Sequence, residues 1–162
     1  MTSTQIKAED LPPDLLEQLN KDRVTCAELV TLILNRQATS PPSIQQLHNA
    51  FDLWIEYHSR KQKRFKLLSK KDPPIPPEAI ALTFGAVLGE HIIAATRLLE
   101  WKLVTDSYGT SVALFASGIE GKYTDIITDP QGMMMKRIQS KQLGCIEPTF
   151  SDLVDQILEW TT

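Results

Sequence analysis

Residues 80–101 read IALTFGAVLGEHIIAATRLLEW, an apolar helix that leads directly into a strand, and this stretch decides the fold. At 100° per residue, a broad apolar face of the helix is opposed by a narrow polar line of Thr83, Glu90 and Arg97. A helix that is apolar around most of its circumference belongs inside a domain. We therefore expect the helix over residues 80–97 to be the core element.

A second line on this helix has almost no side chains, because Ala81, Gly85 and Gly89 follow one another at every fourth position. A glycine inside a helix costs about 1 kcal/mol relative to alanine, so two of them need a structural reason. We expect another backbone, from a helix or a sheet, to approach closely along this line.

Downstream of the helix, the sequence predicts a small antiparallel sheet and two more helices. Leu99, Trp101 and Leu103 alternate along the chain with residues of the opposite face, which is a strand pattern. The predicted elements are strands over residues 99–104, 111–116 and 123–128, a helix over 130–140 that Asp129 caps, and a helix that starts at Thr149.

Upstream of the helix, the sequence predicts only helices, and two capping boxes mark helix starts. In such a box, a Ser or Thr and the Glu or Gln three residues later satisfy free N–H groups of the first turn. The predicted elements are a loose polar lead over residues 1–10, a short helix opened by Pro12 and Pro13, a helix from Thr25 (with Glu28) to about Gln37, and a long helix from Ser43 (with Gln46) to about Ser69.

These elements predict an α+β fold, in which an N-terminal helical segment accompanies a small antiparallel sheet of about three strands covered by helices on one face. The predicted parts are a helical segment over residues 1–71, a proline-rich connector over 72–77 and an α+β domain over 78–162. We expect the two larger parts to pack as one unit.

Composition indicates a soluble cytoplasmic protein. The chain has 162 residues and a net charge of −3, which gives no overall attraction to nucleic acid or acidic membranes. We expect neither a signal peptide nor a membrane span, because the N-terminus lacks an apolar core, and Glu90 and His91 interrupt the apolar helix. Cys26 and Cys145 are too few for a disulfide framework or a zinc site.

Several short motifs resemble those of a known family. They are Gly85–Glu90 (GAVLGE), Trp101, Gly109–Leu114 (GTSVAL), Pro130 with Met134, and Lys136–Ile138 (KRI). Through these motifs, the stretch from roughly Ala79 to Trp160 resembles an uncharacterised bacterial family known as a domain of unknown function. The resemblance implies an α+β domain and brings no established activity. It does not extend to the helical half, Leu11–Lys71.

Glu90 and Arg97 are the candidate residues for a functional cleft, since they share a helix face. A carboxylate beside the line of glycines can act as a general base, with Arg97 placing an anion. In the alternative, Glu90 belongs to a polar edge that is exposed to solvent or faces the N-terminal helices. The sequence favours this alternative, because Glu90 has no partner nucleophile.

The sequence predicts no catalytic residue, no cofactor and no metal ligand, and Glu90 and Arg97 are cleft candidates alone. His48, His58 and His91 lack the spacing of helical metal ligands, and His58 and His91 are both predicted to be hydrogen-bonded core histidines. Cys26, early in its predicted helix, is either a thiol of lowered pKa or, more commonly, a buried structural thiol.

A basic run at residues 60–71 contains seven of the 17 basic residues of the chain. The whole chain has a net charge of −3, so the residues outside the run have a net charge of −10. Such a run can bind phosphate backbones. Arg60, Lys63 and Arg64, however, project opposite the apolar seam of their helix, where a solvated face would put them. The run has one aromatic residue, Phe65, which points inward and gives no stacking platform. The sequence therefore favours a solvated basic face.

The function that the sequence favours is a non-enzymatic interaction or accessory module in the cytoplasm, with a protein partner of unknown identity. One alternative is a small enzyme or small-molecule binder that uses a cleft near Glu90 and Arg97. Another alternative is nucleic-acid binding through residues 60–71.

Overall fold

The computed structural model of the protein describes residues 6–64 and 75–162, and for residues 60–64 it describes the backbone alone. The elements, in chain order, are β1 (Lys7–Asp10), α1 (Pro13–Leu34), α2 (Ile44–Arg64), α3 (Pro77–Thr96), β2 (Glu100–Asp106), β3 (Gly109–Ala116), β4 (Ile126–Thr128), α4 (Pro130–Gln139) and α5 (Ile146–Thr161). The strands form one antiparallel sheet in the order β1-β2-β3-β4. This is the predicted α+β fold, with one strand more than predicted.

The helix α3 is the core element, as the sequence predicts. Within the described residues, α3 alone has the length and hydropathy to cross a membrane, yet 61% of that apolar stretch is buried inside the protein, as in a core helix. Phe84, near its centre, is completely buried. Thr83, on the polar line of α3, is 3% exposed; its hydroxyl donates to the Ala79 carbonyl oxygen at 2.6 Å and so needs no water.

The line of small residues on α3 is closely approached, as predicted. A Cβ on Gly85 would lie 2.5 Å from the Cα of Gln131, in the first turn of α4, and a Cβ on Gly89 would overlap the indole ring of Trp101 on β2. Both positions therefore require glycine. At Gly89, however, the close neighbour is a side chain, whereas the sequence predicts a backbone.

One face of the sheet packs against the helices. Trp101 contacts α3 and pairs across the sheet with Leu114, which in turn pairs with Thr128. Because side chains alternate along a strand, Ala116 and Ile126 also lie on this face. Leu114, Ala116 and Ile126 are buried in the hydrophobic core.

The strand β1 corrects the prediction that residues 1–10 form a loose lead. It pairs antiparallel with β2 from Lys7 opposite Thr105 to Asp10 opposite Lys102, and Lys102 Nζ lies 2.6 Å from Asp10 Oδ1. The strand is polar and mostly exposed, so it has no alternating apolar pattern. Backbone pairing with a distant strand holds it, and such pairing leaves no local sequence signal.

The strand β4 is shorter than the predicted strand over residues 123–128. Tyr123 instead pairs with Ile119 in an isolated bridge that closes the preceding turn. The chain therefore joins the edge of β3 only at Ile126 and leaves it after Thr128, where Asp129 begins the turn into α4.

The helix α1 is one continuous helix, whereas the sequence predicts two. Thr25 and Glu28, the predicted capping box, lie inside it. A capping pattern marks a helix start only where the chain is not already helical, and no glycine or proline interrupts the residues between Pro13 and Thr25. Asn35, in the left-handed region with φ 51°, ends the helix. α1 packs mainly against α3.

Two predicted helix caps are confirmed. Ser43 Oγ accepts from the Gln46 N–H at 3.1 Å while Gln46 Oε1 accepts from the Ser43 N–H at 3.0 Å, and Asp129 Oδ1 accepts from the Gly132 N–H at 2.9 Å. The predicted end of the long helix at Ser69 and most of the connector over 72–77 lie outside the described residues.

The last helix, α5, begins at Ile146, earlier than the predicted start at Thr149. Its N-cap residue, Cys145, makes no side-chain cap. Side chains of α2 instead accept hydrogen bonds at the start of α5, and the local sequence does not predict these partners.

Candidate functional site

Glu90 connects three elements of the fold. Its Oε1 accepts one hydrogen bond from Nη2 of Arg23 on α1, at 2.5 Å, and another from Nε1 of Trp101 on β2, at 2.8 Å. The side chains of Arg23 and Glu90 are 28% and 33% exposed. Of the positions that the sequence leaves open for Glu90, the structure shows the one that faces the N-terminal helices. We call Arg23, Glu90 and Trp101 the Glu90 network.

The Arg23 guanidinium is fixed on two sides. Nη1 donates to Asn20 Oδ1 at 2.7 Å, and Nη2 donates to Glu90. Its Nε is buried and has no hydrogen-bond partner among the described residues. Since Glu90 Oε1 already accepts two hydrogen bonds, that oxygen is poorly placed to take a proton from a substrate. The network is therefore well suited to joining α1 to α3 and β2.

Arg97 takes no part in the Glu90 network. It follows α3 as the C-cap residue in the left-handed region, with φ 54°, and its backbone N–H donates to the Ile93 carbonyl oxygen at 2.8 Å. Its side chain is exposed. The cation that Glu90 pairs with is thus Arg23, which sequence reasoning did not identify, because it lies 67 positions away.

The histidines have structural contacts. His91 Nε2 lies 2.7 Å from the Pro42 carbonyl oxygen, and the ring meets Phe150 edge-on, so the prediction of a hydrogen-bonded His91 is confirmed. The ring is half-buried, which is less than a core position implies. His58 stacks on Trp54 with ring centroids 4.8 Å apart.

A cluster that the sequence analysis missed lies at the start of α5. His48 Nδ1 accepts from the Glu147 N–H at 3.2 Å, and Asp52 Oδ1 accepts from the Gly144 N–H at 2.9 Å. His48 Nε2 is 3.6 Å from Asp52 Oδ2. The signal in the sequence is the i, i+4 spacing of His48 and Asp52 on α2, but nothing local shows that they satisfy the N-terminus of another helix.

Cys145 lies in this cluster, yet the geometry does not make a nucleophile of it. The thiol is 3% exposed and donates to the Gln142 carbonyl oxygen at 3.2 Å. Burial raises its pKa, although nearby Arg137 acts in the opposite direction. His48, the nearby base, accepts its hydrogen bond from a backbone N–H and so does not activate the thiol.

Cys26 is a buried structural thiol, the second of its two predicted interpretations. Because α1 is one helix from Pro13, Cys26 lies near its middle and not in a first turn, where N–H groups are free. It is completely buried, and burial strongly raises its pKa.

Comparison with protein families finds a match to a domain of unknown function named DUF3806, over residues 59–150. This range covers more than half of the chain. The chain belongs to the DUF3806 family. Comparison with curated proteins and with solved structures finds no significant match.

The DUF3806 match begins inside α2 and ends inside α5. It starts earlier and ends sooner than the predicted resemblance over residues 79–160. The match includes Glu90 and Trp101 of the Glu90 network but not Arg23. Likewise, it includes Cys145 but neither His48 nor Asp52. In both places, side chains outside the DUF3806 match form hydrogen bonds with residues inside it.

Two further points concern metal ligands and the basic run. In the part of the chain that the structure describes, no group of three or more His, Cys, Asp or Glu side chains is arranged to hold a metal ion. The predicted basic surface of Arg60, Lys63 and Arg64 begins on the last turn of α2, but these side chains lie outside the described residues. The basic surface therefore stays a prediction.

Proposed function

We propose that this protein is a non-enzymatic interaction or accessory module of the cytoplasm, and that its partner is another protein. The observation that carries the proposal is an open groove between α3, β3 and α4, called here the α3–β3–α4 groove. Its volume is about 390 Å³, and its apolar lining includes Ala81, Leu82, Val112 and Met135. Leu82 is 44% exposed, although α3 is otherwise the core helix. Apolar surface that stays exposed in a groove can pack against apolar side chains of another protein.

The openness of the groove favours a polypeptide over a small molecule. Small-molecule sites enclose roughly 70–90% of the ligand surface and direct a few polar groups at it. The α3–β3–α4 groove is open to solvent, and its lining is mainly apolar. A polypeptide can fill such a groove while most of its own surface stays outside.

The contacts of the chemically competent side chains also support a non-enzymatic function. Glu90 is hydrogen-bonded to Arg23 and Trp101, His91 is close to the Pro42 carbonyl oxygen, and Cys145 is buried. An enzyme or small-molecule binder that uses Glu90 and Arg97 would first have to separate Glu90 from Arg23. That alternative stays a prediction without a supporting contact.

Affinity capture from native cells, followed by reconstitution from purified components, tests the proposal. We expect one protein to bind the purified full chain in a fixed molar ratio. The proposal is wrong if no protein partner can be reconstituted while the purified chain turns over, or tightly binds, a small metabolite. Repeating the reconstitution in reducing and oxidising buffers tests the cytoplasmic setting, because a cytoplasmic partner must bind under reducing conditions.

For the basic run at residues 60–71, we expect only weak, nonspecific attraction to nucleic acid. At physiological salt, binding should be no tighter than about 10⁻⁴ M, and it should weaken steeply as salt rises, because such binding depends on counterion release. The measurement is a fluorescence titration with single- and double-stranded oligonucleotides at two salt concentrations. Replacing Arg60, Lys63 and Arg64 by glutamine should change the free energy of unfolding by less than about 0.5 kcal/mol. Submicromolar binding that this triple variant abolishes would instead establish a nucleic-acid-binding protein.

A further inference from the structure

The strand β3 has a free edge along part of its length. It pairs with β2 from Gly109 to Phe115, but with β4 only from Leu114 to Ala116. Along Gly109–Ala113, alternate residues therefore direct their N–H and C=O groups away from β2, to a side where no strand follows among the residues that the structure describes. Within the described residues, these groups make no other backbone hydrogen bond. A free edge of this kind is a template for another strand.

The free edge lacks the usual protection against pairing. Proteins protect edges with charged side chains, proline or bulges. The opposite edge of this sheet follows that rule, because β1 carries Lys7, Glu9 and Asp10. The free edge of β3 has the sequence Gly-Thr-Ser-Val-Ala, with neither charge nor proline.

Among the described residues, the space beside this edge is open because the chain leaves the sheet early. Thr128, the last residue of β4, lies opposite Leu114, and Asp129 then caps α4. The first turn of α4 rests on Gly85, in the helix layer, where Gln131 Nε2 also donates to the Leu82 carbonyl oxygen at 3.0 Å. A longer β4 would thus lie in the space that forms the α3–β3–α4 groove.

A strand that pairs with the free edge of β3 would also reach the α3–β3–α4 groove. Val112 lies on the helix face of the sheet, since it is two residues from Leu114, and it also lines the groove. A strand paired to the edge would place the side chain opposite Val112 on that same face. That side chain would enter the space beside Ala81, Leu82 and Met135.

We propose that an extended segment of a partner protein adds to the sheet antiparallel to β3 along Gly109–Ala113, with one aliphatic side chain in the α3–β3–α4 groove. This rests on the proposed interaction function and gives its site and binding mode. Antiparallel addition continues the direction of β4. Main-chain hydrogen bonds supply affinity, and the groove supplies specificity for the side chain opposite Val112.

The charge of the groove specifies the partner further. Glu78 and Asp129 are among its lining residues, and among the residues that the structure describes no basic one lines it. The segment therefore carries Lys or Arg two residues from its aliphatic residue, because side chains two apart share one face of a strand and a positive charge there complements the two carboxylates.

The experiment pans a phage-displayed library of random dodecapeptides against the full chain. Enriched peptides are then titrated by fluorescence anisotropy against the wild type, Leu82→Glu and Val112→Lys. We expect the peptides to share an aliphatic residue with Lys or Arg two positions away. Both variants should weaken binding at least about tenfold, because each puts a charged side chain where the aliphatic side chain of the peptide would be buried. Bound peptide should slow amide hydrogen exchange in Gly109–Ala113.

Leu53→Glu is the matched control, because Leu53 on α2 is 48% exposed, like Leu82, and lies outside the groove. It should leave binding unchanged, and circular dichroism checks that every variant is folded. Peptides that bind all variants equally, or that protect another segment, would overturn strand addition while leaving the interaction function in place. A dimer of the chain that Leu82→Glu dissociates would identify a second copy as the occupant and also overturn the proposal. Failure of both panning and native-cell reconstitution would remove the interaction function as well.

Discussion

Gly85→Leu is expected to lower the free energy of unfolding by at least about 2 kcal/mol, the usual order of overpacking costs. The added Cβ would lie 2.5 Å from the Cα of Gln131, and backbone cannot move aside as the end of a flexible side chain can. Asp129 caps α4, and Gln131 is hydrogen-bonded to Leu82, so the helix is held in place. Gly89→Leu should act in the same direction, through the Trp101 ring. Denaturant melts of purified variants measure both effects.

Ala94→Leu provides the control for the glycine variants, because Ala94 is an exposed position on the same helix. Leucine is a better helix former than glycine by about 0.8 kcal/mol, so a net loss at Gly85 can only be steric. The control should change the free energy of unfolding by less than about 0.5 kcal/mol. Glycine variants as stable as the wild type would show that the line of small residues faces open space.

Glu90→Ala is expected to lower the free energy of unfolding by about 2 kcal/mol, because it leaves Arg23 Nη2 and Trp101 Nε1 without their acceptor. The effect is below that of a fully buried ion pair, since about a third of the Glu90 side chain is exposed and water can replace part of the contact. Chemical denaturation, followed by tryptophan fluorescence, measures the loss.

Glu17→Ala is the matched control for Glu90. Glu17 also pairs with a cation, Lys21 at 2.8 Å, but both side chains are about two-thirds exposed, and such pairs contribute roughly 0–1 kcal/mol. A double-mutant cycle with Arg23→Ala and Glu90→Ala isolates their coupling. If Glu90→Ala were as stable as the wild type, the network would not hold α1 to the rest of the fold.

The sequence predicts those parts of the fold that depend on local chemistry. The apolar character of α3, the turn between β2 and β3 and the caps at Ser43 and Asp129 are properties of neighbouring residues, and the structure confirms them. Gly85 is also predicted correctly, because a glycine that weakens a helix needs a close neighbour.

The parts that the sequence did not predict depend on distant partners. β1 is polar and gains its order from pairing with β2, while the start of α5 is satisfied by His48 and Asp52 of α2. The division of α1 into two helices was wrong for another reason: the capping pattern at Thr25 also occurs inside a helix.

The candidate site follows the same rule. Glu90 can be identified from its position after Gly89, but its partner Arg23 cannot, because a helix pattern gives a face and not the residue opposite it. The free edge of β3 is harder still. The free edge exists because β4 ends at Thr128 and the chain turns into α4. The residue pattern of a strand does not determine where the strand ends, so it does not predict that β4 is shorter than β3.

The pairing of β1 with β2 also orders events during synthesis. Lys7 pairs with Thr105, so about a hundred further residues must be synthesised after β1 before its partner strand exists. Meanwhile α1, made directly after β1, can form its local hydrogen bonds on its own. The sheet can then grow from the β2–β3 hairpin, whose strands are adjacent in the chain, and close at β1 afterwards. A nascent chain released before Thr105 would carry an N-terminal segment with no strand to join.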